Sequence, residues 1–287
     1  MSQPFALACR GGLNVNLNQL EIMRQPGLAT ELLNFEVDPD GGYRRISGFT
    51  LFGGGSSARP NSSNKILGLA VYADGLIACS GTGIFFSQDG TSWLQINKAS
   101  VSGSGDNYST FTGRSNDART SQGQCSFALF EGTSDYGEML ICDGANKPFF
   151  FKMTGTGALA DRTFFAGEIT VDSTTAPTVG VIHENHFVVG GAPTAKNKIF
   201  FSSTLDPDSF SGSGAGSIQL TDAIVGLSSF RSDLIIFCKN SIFKLINISD
   251  SDNIAIVPIT QNVGCLDGNS IQEIGGDLLF LSPDGIR

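Results

Sequence analysis

The two histidines are the first residues whose types could do chemistry. His183 and His186 lie three positions apart in the sequence IHENHF. This spacing differs from the HExxH pattern of zinc hydrolases, in which both histidines share one helix face. If the two residues occupy one strand, an odd separation directs them to opposite faces, so we expect no shared metal. The chain also lacks a G-x-S-x-G elbow and a P-loop, so neither a Ser–His hydrolase nor a nucleotide site is indicated.

The arginines and carboxylates give little support to glycoside chemistry. A retaining sialidase would need an arginine cluster, whereas Arg44 and Arg45 are adjacent and would face opposite ways on a strand. The Asp and Glu residues fall mostly in turns. Paired carboxylates stay open as an alternative, because their separation of ~5–9 Å is not visible in a sequence. We therefore expect a protein that is not an enzyme, with no catalytic residues and no cofactor.

The turn DPDGG at positions 38–42 resembles the start of a calcium loop. A calcium loop would carry an acidic ligand where Gly42 stands and would close with Glu where Phe49 stands. Proline and glycine in a tight turn explain the stretch without a metal. We expect no metal site here, and a calcium loop is the alternative.

The six cysteines show no CxxC motif and no Cys/His metal spacing. Cys79 and Cys142 have the same offset within two similar segments, as small buried strand residues would have. The sequence has no run of ~18 apolar residues that could cross a bilayer and no basic-then-apolar signal peptide. We expect reduced thiols in a protein made in the cytosol.

The net charge of −9, with 18 basic residues scattered along the chain, argues against a DNA-binding module. Affinity for nucleic acid comes mostly from neutralising phosphates with Lys and Arg, and no basic stripe is present. An acidic wall suits a surface that DNA passes without sticking, because like charges repel. Acidity that simply keeps an assembly subunit soluble is the alternative.

Five similar segments organise the chain, each an apolar run, a tight turn and a second apolar run. Their second runs are anchored by equivalent residues: Leu76, Met139, Phe187, Leu234 and Leu278. The last three intervals are roughly 44–48 residues, close to the ~40–50 of a propeller blade. One such meander cannot bury both of its faces, so these units stack radially. The sequence predicts an all-β protein, a β-propeller of about five or more antiparallel blades with three or four strands each, complete or incomplete.

The predicted domains are an N-terminal arm over residues 1–30, with a short helix near Leu17–Met23, and a propeller over residues 31–287. The propeller contains a polar insertion at 98–124, which is either a partner-binding loop or a solvated excursion. A hairpin over 32–52 precedes the meanders, and the fifth meander stops at Arg287. Either this hairpin completes the fifth meander, or the chain is the front part of a longer protein.

The sequence SQDGTSW at 87–93 resembles a shortened form of the Asp-box turn of sialidase-type propellers. In that family the Asp and Ser brace the turn and the Trp packs between blades. The resemblance implies a structural role for Ser87, Asp89 and Trp93. A ligand-stacking role for Trp93, the only tryptophan, is the alternative.

Three longer segments resemble tail nozzle and tail-hub propeller proteins of tailed bacteriophages. An early N-x-x-x-D-x-x-G-x-x-x-R-x-G hairpin is matched by Asn34, Asp38, Gly41 and Arg45, and its last glycine stands one place later here, at Gly48. A meander typical of that family is matched by 230–245, and its closing unit by 264–286. The resemblance covers about half of the chain.

The resemblance implies a virion structural protein, a ring subunit that lines or caps the DNA exit channel of a phage tail. Expected partners are further copies in a homo-oligomeric ring and other tail proteins such as an adaptor, fibre or hub. DNA would pass through during ejection without sequence-specific binding. The expected location is the virion tail, assembled in the host cytoplasm. The alternative function is a glycan-binding or glycan-cleaving propeller that recognises a host receptor.

Overall fold

The computed structural model describes residues 12–25, 27–38, 42–48, 60–61, 64–96, 119, 121–132, 135–158, 161–172 and 175–287. The chain divides into two compact units, Met1–Leu51 and Phe52–Arg287. The described residues of the hairpin predicted over 32–52 therefore belong to the first unit. Whether it completes the fifth meander stays a prediction.

Among its described residues, the first unit contains four short strands and one helix. They are β1 (Gly12–Leu13), α1 (Gln19–Arg24), β2 (Leu28–Ala29), β3 (Phe35–Val37) and β4 (Tyr43–Arg45). The helix confirms the prediction near Leu17–Met23. It begins with a capping box, in which Asn18 accepts from the backbone N–H of Glu21 and the Glu21 carboxylate accepts in return. The Tyr43 hydroxyl contacts the carbonyls of Gly12 and Gly27 at 3.0 and 2.7 Å. The arm and the hairpin thus form one unit.

In the part of the second unit that the structure describes, there are four antiparallel sheets of four strands, each formed by strands that are consecutive in the chain. Sheet 1 consists of β5 (Ile66–Tyr72), β6 (Gly75–Ser80), β7 (Gly83–Ser87) and β8 (Leu94–Gln95). Sheet 2 consists of β9 (Ser126–Phe130), β10 (Glu138–Cys142), β11 (Phe149–Thr154) and β12 (Thr163–Glu168).

Sheets 3 and 4 repeat the same up-and-down order. Sheet 3 consists of β13 (Val179–His183), β14 (His186–Gly190), β15 (Lys198–Phe201) and β16 (Gly216–Gln219). Sheet 4 consists of β17 (Ile224–Phe230), β18 (Asp233–Cys238), β19 (Ile242–Ile246) and β20 (Ala255–Thr260). A fifth repeat contains a 3₁₀ turn (Gly268–Ser270) and two hairpins, β21 (Gln272–Ile274) with β22 (Asp277–Leu279) and β23 (Leu281–Ser282) with β24 (Gly285–Ile286).

The five predicted anchors occupy one structural position, the second residue of the second strand in each repeat. They are Leu76 in β6, Met139 in β10, Phe187 in β14, Leu234 in β18 and Leu278 in β22. Met139, Phe187 and Leu234 are at most 2% exposed. Cys79 and Cys142 are likewise the fifth residues of β6 and β10. The repeat predicted from the sequence is therefore confirmed.

The hydrophobic cores lie between consecutive sheets, because each sheet is apolar on both faces. One core joins sheets 1 and 2 and includes Ile77, Phe86 and Phe151. A second joins sheets 2 and 3 through Leu140 and Phe187. A third joins sheets 3 and 4, and a fourth joins sheet 4 to the fifth repeat. This stacking is the architecture of a β-propeller, with the four sheets as blades.

The first strand of each sheet lies innermost, where successive sheets meet. β13 contacts both β9 and β17, and β17 contacts the 3₁₀ turn of the fifth repeat. Gly68 allows the innermost strand of sheet 1 to approach the start of sheet 2 closely. A Cβ at Gly68 would lie 2.8 Å from the Cβ of Cys125 and 2.7 Å from the Phe127 ring. Gly226 is similar, since its Cβ would meet Ile271 at 2.3 Å and Gly268 at 3.1 Å.

Candidate functional site

A cavity of about 370 Å³ opens where the innermost strands of sheets 2, 3 and 4 begin. Four stretches line it: 124–126, 178–180, 225–227 and 266–269, together with Asp143. Each stretch enters a different repeat, so the cavity exists only because the repeats are stacked. A shared mouth of this kind is where propellers and other repeat folds commonly offer a binding surface.

Arg119 lies beside this cavity and carries a buried positive charge. Its side chain is 2% exposed and forms a 3.1 Å ion pair with Asp143, which is 3% exposed. The same guanidinium donates to the carbonyls of Gly81 at 2.6 Å and Gly123 at 3.2 Å. Because Gly81 belongs to sheet 1 and Asp143 to sheet 2, Arg119 connects the two sheets.

Asp143 also organises the turn that follows β10. Its carboxylate accepts from the backbone N–H groups of Ala145 and Asn146 and from the Asn146 amide at 2.6 Å. Asn146 in turn contacts the backbone of Ser121 through both its amide oxygen and its nitrogen. Arg119 and Ser121, near the end of the polar insertion, are thus hydrogen-bonded to sheet 2.

Arg119 was not recognised in the sequence as a residue of any site. It falls within the insertion at 98–124, where few large hydrophobic residues mark a buried segment. The rest of that insertion up to residue 118, and residue 120, lie outside the described residues. The choice between a partner-binding loop and a solvated excursion therefore stays a prediction for most of its length.

Two thiols meet at the same place. Cys125 precedes β9 and accepts a hydrogen bond from Arg119 Nη1 at 3.0 Å. The Cys79 thiol of β6 hydrogen-bonds to Cys125, which raises the pKa of Cys79 and, together with the Arg119 charge, lowers the pKa of Cys125 despite its burial. The cysteines that the structure describes are all free and buried: Cys79, Cys125, Cys142, Cys238 and Cys265.

The two histidines flank a tight turn, and the assumption of one shared strand was wrong. His183 ends β13 and His186 begins β14, and the two are direct partners across the antiparallel pair. The chain reverses between them at Glu184 and Asn185, whose φ angles are both positive (46° and 63°). This φ combination suits the two-residue turns of hairpins.

Both imidazoles are engaged in contacts between or within sheets. His183 Nδ1 lies 2.9 Å from the Ser229 hydroxyl of sheet 4, and burial lowers its pKa. His186 Nδ1 lies 2.6 Å from the Ser202 carbonyl, and its Nε2 lies 3.2 Å from the Thr204 hydroxyl and 3.3 Å from the Ser249 hydroxyl. Among the described residues, no group of three or more His, Cys, Asp or Glu could hold a metal ion.

Three carboxylates converge between sheets 2 and 3, which the sequence did not reveal. Glu138 at the start of β10 is buried and forms a 3.3 Å ion pair with Lys152. Asp208, in the loop after β15, loses hydration, hydrogen-bonds to Asp206 and faces the negative charge of Glu138; together these effects raise its pKa to about 7. The Asp208 carboxyl group can therefore hold or release a proton near neutral pH.

The SQDGTSW turn joins β7 to β8, between the two outer strands of sheet 1. The Asp89 carboxylate accepts from the backbone N–H groups of Thr91 at 2.8 Å and Ser92 at 3.1 Å. The Ser87 hydroxyl accepts from the Gly90 N–H at 2.8 Å. Hydrogen bonding, first from the Thr91 hydroxyl, lowers the pKa of Asp89 to about 2. Ser87 and Asp89 therefore brace the turn, as the Asp-box resemblance implies, while Trp93 is half-buried.

The early hairpin shows a structural use of its charged residues. Arg44 donates to its cross-strand partner Glu36 at 2.6 Å, and both side chains are about half exposed. The backbone N–H of Asp38 donates to the Gly42 carbonyl at 3.0 Å, which closes the turn. Positions 39–41 and Phe49 lie outside the described residues, so the calcium alternative stays a prediction.

None of the helices in the described ranges has the length and apolar character required to cross a bilayer.

The comparisons with known proteins return distant structural likenesses only. No family model and no curated protein matches the chain. A chain in the cryo-EM structure of RAG in complex with one melted and one unmelted RSS is 10% identical, with a TM-score of 0.44 over 76% of this chain and 79% of that one. BBS1N in complex with ARL6DN is 11% identical, with a TM-score of 0.33 over 77% of each chain.

The extracellular domain of the one-component system BT4673 from B. thetaiotaomicron is 11% identical, with a TM-score of 0.44 over 76% of this chain. This chain spans about a quarter of that protein, since 26% of it is covered. Likenesses at these TM-scores carry no argument about function, so the function must be argued from the residues of this chain.

Proposed function

We propose that the chain is a virion structural protein of a bacteriophage tail, of the nozzle or hub type. In this role its copies form a ring that lines or caps the DNA exit channel, and it performs no catalysis. The support comes from the three motifs that resemble this family and from what their residues do in the fold.

The closing motif, over residues 264–286, carries the proposal. A Cβ on Gly264 would lie 2.1 Å from the Lys239 carbonyl, so glycine is required where the chain passes sheet 4. Cys265 follows it, is fully buried, and donates its backbone N–H to the Cys238 carbonyl at 2.9 Å. The motif residues are therefore those that attach one repeat to the next, which a family with a common architecture would share.

The early hairpin motif has the same character. Asn34 adopts a positive φ of 60° and its carbonyl accepts from the backbone N–H of Ile46 at 3.0 Å. An Asn at such a position tolerates the left-handed conformation that most residues avoid. The resemblance therefore rests on residues with a structural use and not on surface composition.

The charge of the protein fits passage of DNA without retention. The net charge is −9, and Asp267 lines the cavity where the repeats meet. The Arg119 charge beside that cavity is already paired with Asp143. A surface of this sign repels phosphates, in contrast to the basic stripe of a protein that binds them.

Assembly of the full chain tests the proposal. The purified protein, alone and mixed with the portal and adaptor proteins of the same phage, would be analysed by mass photometry and negative-stain electron microscopy. We expect rings, or co-assembly with the adaptor, and we expect the chain among the proteins of purified virions by mass spectrometry. A protein that stays monomeric with every partner and is absent from the virions would overturn the proposal.

The carboxylates of Glu138, Asp206 and Asp208 favour one second candidate, a glycan-cleaving propeller that acts on a host receptor. A proton-bearing acid near a charged carboxylate is the arrangement that glycoside cleavage requires. A glycan array followed by a hydrolysis assay tests this candidate, with Asp208→Asn as the disabling variant and exposed Asp252→Asn as the control. Absence of binding and of Asp208-dependent hydrolysis would eliminate it.

A further inference from the structure

Cys79 and Cys125 are brought together by a glycine. Gly68 and Cys79 are direct partners across β5 and β6, so their side-chain positions share one face of sheet 1. Gly68 leaves that position empty, and the Cβ of Cys125 occupies it at 2.8 Å from where a Gly68 Cβ would be. The backbone N–H of Cys125 also donates to the Leu67 carbonyl at 2.9 Å, which fixes its approach.

The two thiols differ in their surroundings. Cys125 is 8% exposed and receives the 3.0 Å hydrogen bond from Arg119, whereas Cys79 is fully buried within β6. A nearby guanidinium and a donated thiol hydrogen bond both favour a thiolate at Cys125. The negative charge of Asp143 opposes this effect, and burial opposes it as well.

A small reagent can reach this pair from the cavity. Cys125 is among the residues that line the 370 Å³ space at the mouth of the stacked sheets. Cys142 differs from the pair, because its sulfur lies 3.1 Å from the Cβ position of Gly180 and belongs to the core between sheets 2 and 3. Cys79 and Cys125 both belong to the core between sheets 1 and 2.

We propose that Cys79 and Cys125 form an oxidisable thiol pair, which a peroxide converts into a disulfide that joins sheet 1 to the start of sheet 2. Cys125 is the residue that reacts first and Cys79 is the one that resolves the product. The bond would close a loop of the chain from residue 79 to residue 125, which contains β7, β8 and the polar insertion.

The chemistry takes place in two balanced steps. In the first, the Cys125 thiolate attacks one oxygen of hydrogen peroxide and the O–O bond breaks. Cys125 becomes a sulfenic acid, and the departing hydroxide takes up the proton that Cys125 had lost, giving water. In the second, the Cys79 sulfur attacks the sulfenic sulfur, and the S–O bond breaks as the S–S bond forms. The second hydroxide leaves with the Cys79 proton as water, so two thiols and one peroxide give one disulfide and two waters.

Peptide mapping of the full-length protein tests the assignment. The reduced protein would be treated with hydrogen peroxide, free thiols alkylated, and peptides separated without reductant and analysed by mass spectrometry. We expect a cross-linked peptide containing Cys79 and Cys125, removed by dithiothreitol. A cross-link from Cys125 to Cys142, or cysteines that all remain alkylatable, would overturn the proposal.

Variants separate the two roles. Cys125→Ser should abolish the cross-link, while Cys79→Ala should trap the sulfenic acid at Cys125, detected with a dimedone probe. Arg119→Gln should slow the reaction, and Cys142→Ala is the matched control that should leave the cross-link unchanged. In the wild-type protein, oxidation should raise Tm by roughly 5–10 °C, because the bond restricts the unfolded chain. Equal cross-linking in Cys79→Ala would refute the pair without any appeal to stability.

Discussion

The carboxyl group of Asp208 lies close to the carboxylates of Asp206 and Glu138, between sheets 2 and 3. These surroundings favour its protonated form in the folded protein. Burial raises its pKa to about 7, with further contributions from the hydrogen bond to Asp206 and from the charge of Glu138. The positive charge of Lys152 acts in the opposite sense, and Lys152 is paired with Glu138 at 3.3 Å. The folded protein therefore holds a proton at Asp208 that the unfolded chain releases near pH 4.

This difference predicts a pH-dependent effect of Asp208→Asn. Between pH 4 and 7 the folded state binds more protons at this group than the unfolded state, so its contribution to stability falls as the pH rises. The amide removes that penalty, so the variant should gain stability relative to wild type from pH 5 to pH 8. We expect a gain on the order of 1 kcal/mol, because the group is partly exposed to screening solvent.

Urea unfolding at pH 5 and pH 8 measures the effect, with exposed Asp252→Asn as the control. A stability difference between Asp208→Asn and wild type that is the same at both pH values would show that Asp208 carries no unusual proton.

The sequence predicts the buried residues of the strands but not the polar residues whose partners lie on a neighbouring sheet. Leu76 and Leu234 could be predicted, because local alternation of apolar runs and turns places them on second strands. Arg119 and the Asp206–Asp208 pair could not, since their partners are Asp143 and Glu138 on a neighbouring sheet. Such contacts depend on how sheets stack, and one sequence carries no periodic signal for them. The histidine turn was missed for a related reason, because it has no glycine to mark it.

At the scale of the strand, glycine sets how closely one sheet can approach the next. Gly68 of β5 leaves space for Cys125 and Phe127, which a Cβ there would overlap, and Gly226 of β17 leaves space for Ile271 in the same way. Both follow an irregularity in the pairing of the innermost strand with its neighbour, at corresponding points of sheets 1 and 4. The sequence patterns ILGLAVY at 66–72 and AIVGLSS at 223–229 indicate strands, but they carry no signal for this packing role of the glycine.

Gly68→Ala should therefore destabilise the protein by about 1–3 kcal/mol, as overpacking does in a filled core. Alanine also lowers the conformational entropy of the unfolded chain, but this stabilises the protein by only about 0.4–1 kcal/mol. Gly48→Ala is the matched control, because nothing lies within 4 Å of its Cβ position. Chemical denaturation of the three proteins gives the comparison, and equal midpoints for Gly68→Ala and Gly48→Ala would contradict the packing role of Gly68.

At the scale of the whole second unit, the sheets are stacked in chain order and each core is shared by two neighbours only. Ion pairs and hydrogen bonds follow the same rule: Arg162 bonds both oxygens of Asp74 at 2.7 and 2.6 Å across sheets 2 and 1. Ser229 and His183 are 2.9 Å apart across sheets 4 and 3. Stability in such an array is close to a sum of terms for each sheet and each nearest-neighbour interface.

A cavity made in one interface should therefore weaken the two sheets beside it and spare the distant ones. Leu234 is fully buried in the core between sheets 3 and 4, and Leu234→Ala should cost about 2–5 kcal/mol. We expect amide hydrogen exchange to accelerate in β13–β20 and to change little in β5–β7, while Ile77→Ala, in the core between sheets 1 and 2, should give the reverse pattern. Uniform acceleration through all four sheets in both variants would mean that the unit opens only as a whole, and the nearest-neighbour description of this propeller would fail.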